Sequence, residues 1–175
     1  IGITEEPLSR IREAVILPPG HIGEIAVRGP VTTKEYFQNP KATLLAKMRD
    51  DDGGVWHRMG DVGYLDDKGR LWFCGRKAHR VETAGGTLYT IPCEALFNRH
   101  PRVRRSALVG VGVSGNKRPV IIIELKAGDS GRDKDRLTEE LLAIARDNAI
   151  TRMINTVLYH HGFPVDIRHN AKIFR

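Results

Sequence analysis

Two cysteines, Cys74 and Cys93, are too few and too unlike in setting for a disulfide framework or a thiolate metal site. A small buried hydrophobe is the plain reading of Cys74, and a reducing cytoplasm suits such usage. Long apolar runs are missing as well. The longest, Val120-Ile121-Ile122-Ile123, is strand-sized and far short of the ~20 residues of a membrane span. The opening Ile1-Gly2-Ile3-Thr4-Glu5-Glu6 has no basic stretch leading into an apolar one, so no secretory signal is visible. It also begins without Met, as expected of a segment of a longer gene product. His57, His79, His100, His160, His161 and His169 lack metal-ligand spacing, and the pair His160-His161 would face opposite ways on a strand. No GxxxxGK[ST] loop occurs, and no Ser/His/Asp arrangement is identifiable.

The charge is biased, with 28 basic against 21 acidic residues, but the basic ones are scattered and no nucleic-acid motif accompanies them. Arg102, Arg104 and Arg105 form the densest cluster and read as a solvated face. No nucleic-acid partner, bound metal or transmembrane segment is therefore expected.

What is present describes a globular protein: 41% hydrophobic and 28% charged residues over 175 positions, enough for one good core or two small ones. Gly23-Glu24-Ile25-Ala26-Val27-Arg28-Gly29 alternates as a half-buried strand does. A helix is expected over Pro40 to Met48, with Asn39 as its cap and Pro40 in its first position. Val55 to Leu65 and Arg70 to Arg76, separated by Asp66-Asp67-Lys68-Gly69, read as a β-hairpin, with Trp56 and Trp72 as core residues. A second small hairpin bends at Gly85-Gly86. A helix opens near Ile91-Pro92-Cys93-Glu94 with Thr90 as candidate cap, and strands follow over 103–113 and 119–126. Leu137, Leu141, Ile144 and Ala145 mark an amphipathic helix. A last strand near Thr156 to Tyr159 precedes an irregular tail.

The fold class expected is α+β: a β-hairpin-rich subdomain over 1–77, then a small α+β domain over 78–175 with a short sheet flanked by helices. There are no internal repeats.

The run Gly60-Asp61-Val62-Gly63-Tyr64-Leu65-Asp66-Asp67-Lys68-Gly69-Arg70-Leu71-Trp72-Phe73-Cys74-Gly75-Arg76 resembles the hairpin signature of the adenylate-forming superfamily, which includes acyl-CoA synthetases. Gly23 to Pro30 with Tyr36-Phe37 and Asn39-Pro40 resembles that family's preceding segment, and Asn170-Ala171-Lys172-Ile173-Phe174-Arg175 its terminal element. The matches come in the family's order and cover nearly the whole chain. The resemblance implies the end of the large domain followed by the mobile C-terminal lid. It also implies ATP and Mg²⁺ as cofactors and a phosphate-binding part lying outside this segment, so the segment alone is expected to be inactive.

By the same resemblance, Asp61 and Arg76 hold the AMP ribose and Phe73 packs near the nucleoside. A carboxylate suits two ribose hydroxyls, and a guanidinium can donate to ribose or phosphate through its fixed fork. Lys172 matches the catalytic lysine that bridges the substrate carboxylate and the α-phosphate, where an ammonium offsets the charge that builds as two anions meet.

The departures carry information too. Ala78 stands where the family has an Asp or Lys hinge, Glu82 where a lysine is common, Thr87 where an arginine is usual, and Ala171 where glycine is usual. Together with the runs Gly75 to Val81 and Arg168 to Lys172, they resemble the branch of the family that forms β-lactones in bacterial olefin biosynthesis. That resemblance implies a long-chain 2-alkyl-3-hydroxy acid as substrate, no need for a thiol acceptor, and association with other enzymes of olefin formation in the cytoplasm. A fatty acyl-CoA ligase, or a non-catalytic docking module, is the alternative.

Overall fold

A computed structural model describes residues 1–129, 131–166 and 172–173, with the backbone alone at Lys172. The chain forms two compact units, Ile1–Ala78 and His79–Arg175. The class is α+β, as the hydrophobic patterning predicts.

In the first unit a short 3-10 turn (Ile11–Glu13) is followed by β1 (Gly23–Val27), α1 (Pro40–Ala46), β2 (Lys47–Arg49), β3 (Val55–Leu65) and β4 (Leu71–Arg76). All four strands share one antiparallel sheet, and β3 is its spine. It pairs with β1 along one edge, and with β2 and then β4 along the other. Asn39 caps α1 as expected, its side chain accepting the Ala42 N–H at 3.0 Å.

The helix stops at Ala46 rather than Met48, because Lys47 and Met48 pair with His57 and Trp56 of β3 and are buried there. Neither residue resists a helix by propensity. The ladder and the burial outweigh the few tenths of a kcal/mol at stake. Trp72 also departs from expectation. It is half exposed, stacked on Tyr64 with ring centroids 6.3 Å apart, while Trp56 is partly buried and donates to Asp50.

The second unit opens with the paired strands β5 (Val81–Thr83) and β6 (Gly86–Leu88) and continues through α2 (Thr90–Phe97), β7 (Val103–Val111), β8 (Arg118–Leu125), α3 (Lys134–Arg146), β9 (Val157–His160), β10 (Val165–Asp166) and β11 (Lys172–Ile173). Strand β8 is central, antiparallel to β7 and parallel to β9, so α3 lies in the crossover that parallel pairing requires. Leu137, Leu141 and Ala145 recur every four residues on α3 and are buried with Phe97, Leu108, Ile121, Ile123 and Ile154 in one core.

Thr90 does not cap α2. It is the first helical residue, after a Tyr89 whose side chain makes no capping bond. Pro92 sits in the first turn, where a missing N–H leaves no helical bond unmade. Nor is the tail irregular throughout, since β10 and β11 pair antiparallel. The arginine cluster is not a merely solvated face either. Arg102 grips Asp129 through two nitrogens at 2.7 and 2.8 Å, and Arg104 and Arg105 both reach Glu124. No helix among the described residues is long and apolar enough to cross a membrane.

The β3–β4 turn is built on Asp66. Its Oδ1 accepts the backbone N–H groups of Lys68 and Arg70, and its Oδ2 accepts Arg70 Nε and Trp72 Nε1. The Trp72 bond, then the backbone N–H of Arg70, hold its carboxyl down to about 2. An unfolded aspartate titrates near 4. The folded state therefore gains from this group at any pH above about 4, and loses that gain as the pH falls through about 2. Asp66→Asn should lower the stability of the first unit at pH 6, and its difference from wild type should shrink steadily below pH 4. Denaturant titrations followed by tryptophan fluorescence, which reports only Trp56 and Trp72 of the first unit, would measure this. A difference independent of pH would mean that the carboxylate charge is not what holds the turn.

Candidate functional site

The hairpin brings two of the four sequence-predicted site residues into contact. Asp61 on β3 lies directly opposite Arg76 on β4, and Arg76 Nη1 donates to Asp61 Oδ1 at 2.8 Å. The register explains why the pair forms at the end of the hairpin. Val62 faces Gly75 but Gly63 faces Phe73, so Cys74 is an extra residue on β4, a bulge that bends the strand. Gly75 (φ +126°) and Gly60 (φ +67°) flank the pair in conformations that side chains adopt only with strain. Cys74 is buried, which keeps its thiol protonated by desolvation and confirms the inert reading.

The pair is unequally exposed. The Asp61 side chain keeps 16% of its accessible surface and that of Arg76 keeps 45%. Asp61 is thus held in the sheet, while the guanidinium reaches outward with nitrogens to spare for a polyhydroxyl or an anion. Phe73 sits across from Gly63, two residues along β3 from Asp61, and is half exposed. Lys172 belongs to the second unit, with its backbone opposite Asp166 on β10. Its side chain, and Asn170, Ala171, Phe174 and Arg175 of the terminal element, lie outside the described residues.

Sequence reasoning missed a buried network that begins one residue beyond the pair, at Val62, the register partner of Glu24, and at Lys77, which follows Arg76. Glu24, a polar position in an alternating strand, reads as solvent-facing, yet it is 2% exposed. Its Oε2 accepts from Arg58 Nη2 at 2.7 Å, Arg58 Nε at 3.1 Å and Lys77 Nζ at 3.2 Å. Arg58 also donates to the carbonyls of Thr4 and Glu6, and Lys77 to that of Thr4. Strand β1, strand β3, the amino-terminal segment and the residue next to Arg76 therefore meet at one buried carboxylate. The only hint in the sequence was a glutamate in a strand whose neighbours are all apolar or glycine.

At the positions that depart from the family, Ala78 ends the first unit, and Glu82 accepts Arg80 Nε and Nη2 at 3.1 and 2.8 Å. Thr87 is exposed on β6, opposite Glu82. A cleft of about 850 Å³ in the first unit is lined by Tyr36, Asn39, Lys47 and Arg49, among others, and touches none of the predicted site residues.

No family model matches the chain. Two curated relatives match nearly all of it. The olefin beta-lactone synthetase of Xanthomonas campestris is 53% identical over 164 residues, covering 91% of this chain and 30% of the relative. The enzyme of the same name from Stenotrophomonas maltophilia is 50% identical over 179 residues, covering 100% and 32%. Among solved structures, the ATP-bound RpMatB-BxBclM chimera B1 superposes with a TM-score of 0.73 at 28% identity, over 92% of this chain and 31% of that one. The chain spans about a third of the length of the relatives it matches.

The buried knot generates a test of its own. Glu24→Gln leaves Arg58 and Lys77 without their shared counter-charge, at an expected cost of about 3–5 kcal/mol. Chemical denaturation read by tryptophan fluorescence should show it as a large fall in the midpoint for the first unit. A change under about 1 kcal/mol, the worth of an exposed ion pair, would show that the knot is solvated.

Proposed function

Since the chain belongs to the adenylate-forming superfamily, as its C-terminal part, we propose that the whole protein activates a long-chain 2-alkyl-3-hydroxy fatty acid with ATP and closes it to a β-lactone. The observation that carries this reading is the identity of 50–53% to two enzymes named for that product, extending over 91–100% of the chain. The geometry at the hairpin end supports the nucleotide half of it. Asp61, fixed in the sheet by its bond to Arg76, offers carboxylate lone pairs to the ribose hydroxyls, and Arg76 offers its remaining N–H groups to ribose or phosphate. Phe73 supplies an exposed apolar face near the nucleoside.

In the first step a carboxylate oxygen of the acid bonds to the α-phosphorus of ATP and the bond to pyrophosphate breaks. Both reactants are anionic, and Lys172 is proposed to place its ammonium between them, where it counts most as charge builds in the transition state. In the second step the substrate's 3-hydroxyl oxygen bonds to the acyl carbon, the acyl–phosphate bond breaks, and AMP leaves as the hydroxyl loses its proton. The nucleophile is tethered to its target, so no bimolecular capture by a thiol is required. Mg²⁺ would arrive on the nucleotide phosphates. The described residues contain no group of His, Cys, Asp or Glu able to hold an ion themselves. A cytoplasmic setting and association with other enzymes of olefin formation complete the proposal.

In the full-length enzyme, Lys172→Ala should slow adenylate formation at least a hundredfold, about 2.7 kcal/mol, while ATP affinity changes little. Near-normal single-turnover adenylation would remove Lys172 from the mechanism. The 175-residue chain alone should release no pyrophosphate.

Given ATP, Mg²⁺ and the hydroxy acid, the full-length enzyme should release AMP with CoA absent and yield a four-membered lactone visible by NMR. The substrate lacking its 3-hydroxyl should stall as the adenylate, and CoA should not rescue it. Accelerated AMP release with CoA, and accumulation of an acyl thioester, would assign the protein to the acyl-CoA ligases instead.

A further inference from the structure

We propose that Glu124 is a positioning residue for Lys172, a role that rests on the catalytic reading of Lys172 given above. Glu124 lies in the middle of the second unit's sheet and has no exposed surface. A carboxylate there needs donors, and it has three sources. Arg104 Nη1 lies 2.8 Å from Oε1, Arg105 Nε lies 3.2 Å from Oε2, and the backbone N–H of Phe163 donates to Oε2 at 2.7 Å. The arginines come from β7, the neighbouring strand, and Arg105 is the register partner of Glu124 itself. Phe163 comes from the chain beyond β9.

That third donor is the informative one. Strand β9 ends at His160, the register partner of Glu124 on its other side, and the chain then turns away from the sheet. The turn is fastened at Phe163, whose N–H is consumed by Glu124 and whose ring is buried and stacked on His160 at 5.7 Å. His160 Nδ1 accepts the Gly162 N–H at 3.2 Å. From Phe163 to Asp166 is three residues, at most about 10 Å of chain. Asp166 is the backbone partner of Lys172. The strand that includes Lys172 therefore pairs with a strand whose root is tied to the core by one buried side chain. A bond to a charged acceptor is shorter and stronger than a neutral one. The two arginines keep the carboxylate aimed.

Glutamine at 124 keeps the size but offers one acceptor oxygen and an N–H₂ to the same three donors. In the full-length enzyme, Glu124→Gln should slow single-turnover adenylation by tenfold or more, as small misplacements of a catalytic group do, with the Kd for ATP within about twofold of wild type. In the Lys172→Ala background the same substitution should cost less than about twofold further, because Glu124 acts through Lys172. General destabilisation would instead add to the loss in both backgrounds.

Normal adenylation by Glu124→Gln beside a damaged Lys172→Ala overturns the inference alone. Normal adenylation by Lys172→Ala brings down the parent reading and this inference with it. Should Glu124→Gln fail to fold, hydrogen exchange of the wild-type enzyme decides. Peptides spanning 161–166 should retain an amide as slow as those of β8, and exchange of the whole segment at the unfolded rate would refute the tie.

Discussion

A carboxylate taken out of water keeps its charge only where fixed donors replace its hydration. This chain meets that constraint twice, once in each unit, with the same materials. Glu24 is enclosed by Arg58 and Lys77, and Glu124 by Arg104 and Arg105. In both cases the network also captures backbone from outside the strands: the carbonyls of Thr4 and Glu6 in the first, the N–H of Phe163 in the second. Well-packed apolar residues could stabilise either core about as well. What they could not do is fix which stretch of chain lies against the sheet, since apolar contact has no direction. The buried ion pairs therefore act as specificity devices, one within each unit. One includes Lys77, the residue after Arg76, and the other lies at the root of the strand pair that includes Lys172.

The hairpin was legible in the sequence because its information is local. Asp66 and Gly69 encode the turn, and alternation encodes the strands. The amphipathic α3 and the central β8 were legible for the same reason, their periods being written within a dozen residues. What could not be read depends on partners distant in sequence. Lys47 and Met48 join a strand because β3 offers an unpaired edge there. Trp72 stays exposed because the bulge at Cys74 and the stacking on Tyr64 decide its environment, not its hydrophobicity. Glu24 and Glu124 look like ordinary polar positions until the strands that bring their arginines are placed. The arginine cluster failed for the same reason, its carboxylates lying some twenty to thirty residues away.

The two residues that follow the hairpin differ in what they can bind. Lys77 is the first residue after the hairpin, and its ammonium is bound within the Glu24 knot. Ala78, which follows, has no polar atom with which to form a comparable tie. A polar residue at that position could trade partners between two arrangements of the chain. An alanine has nothing to trade.

The electrostatics of the next hairpin point the same way. A lysine or arginine at positions 82 and 87 would add positive charge suited to a phosphate-bearing acceptor. Here residue 82 is a glutamate whose charge is met by Arg80 from the same strand region, and residue 87 is an uncharged, exposed threonine. The hairpin is thus nearly self-neutralised and offers an incoming polyanion little attraction. An enzyme whose nucleophile is already part of its substrate forfeits nothing by this. Its second step needs the hydroxyl aimed at the acyl carbon and water kept from the adenylate. Those demands fall on the acyl pocket rather than on a path for a second substrate. The pairing of Asp61 with Arg76 beside a nearly neutral 82–87 hairpin is thus the arrangement that the proposed lactone closure asks for, and not one suited to drawing in a phosphate-bearing thiol.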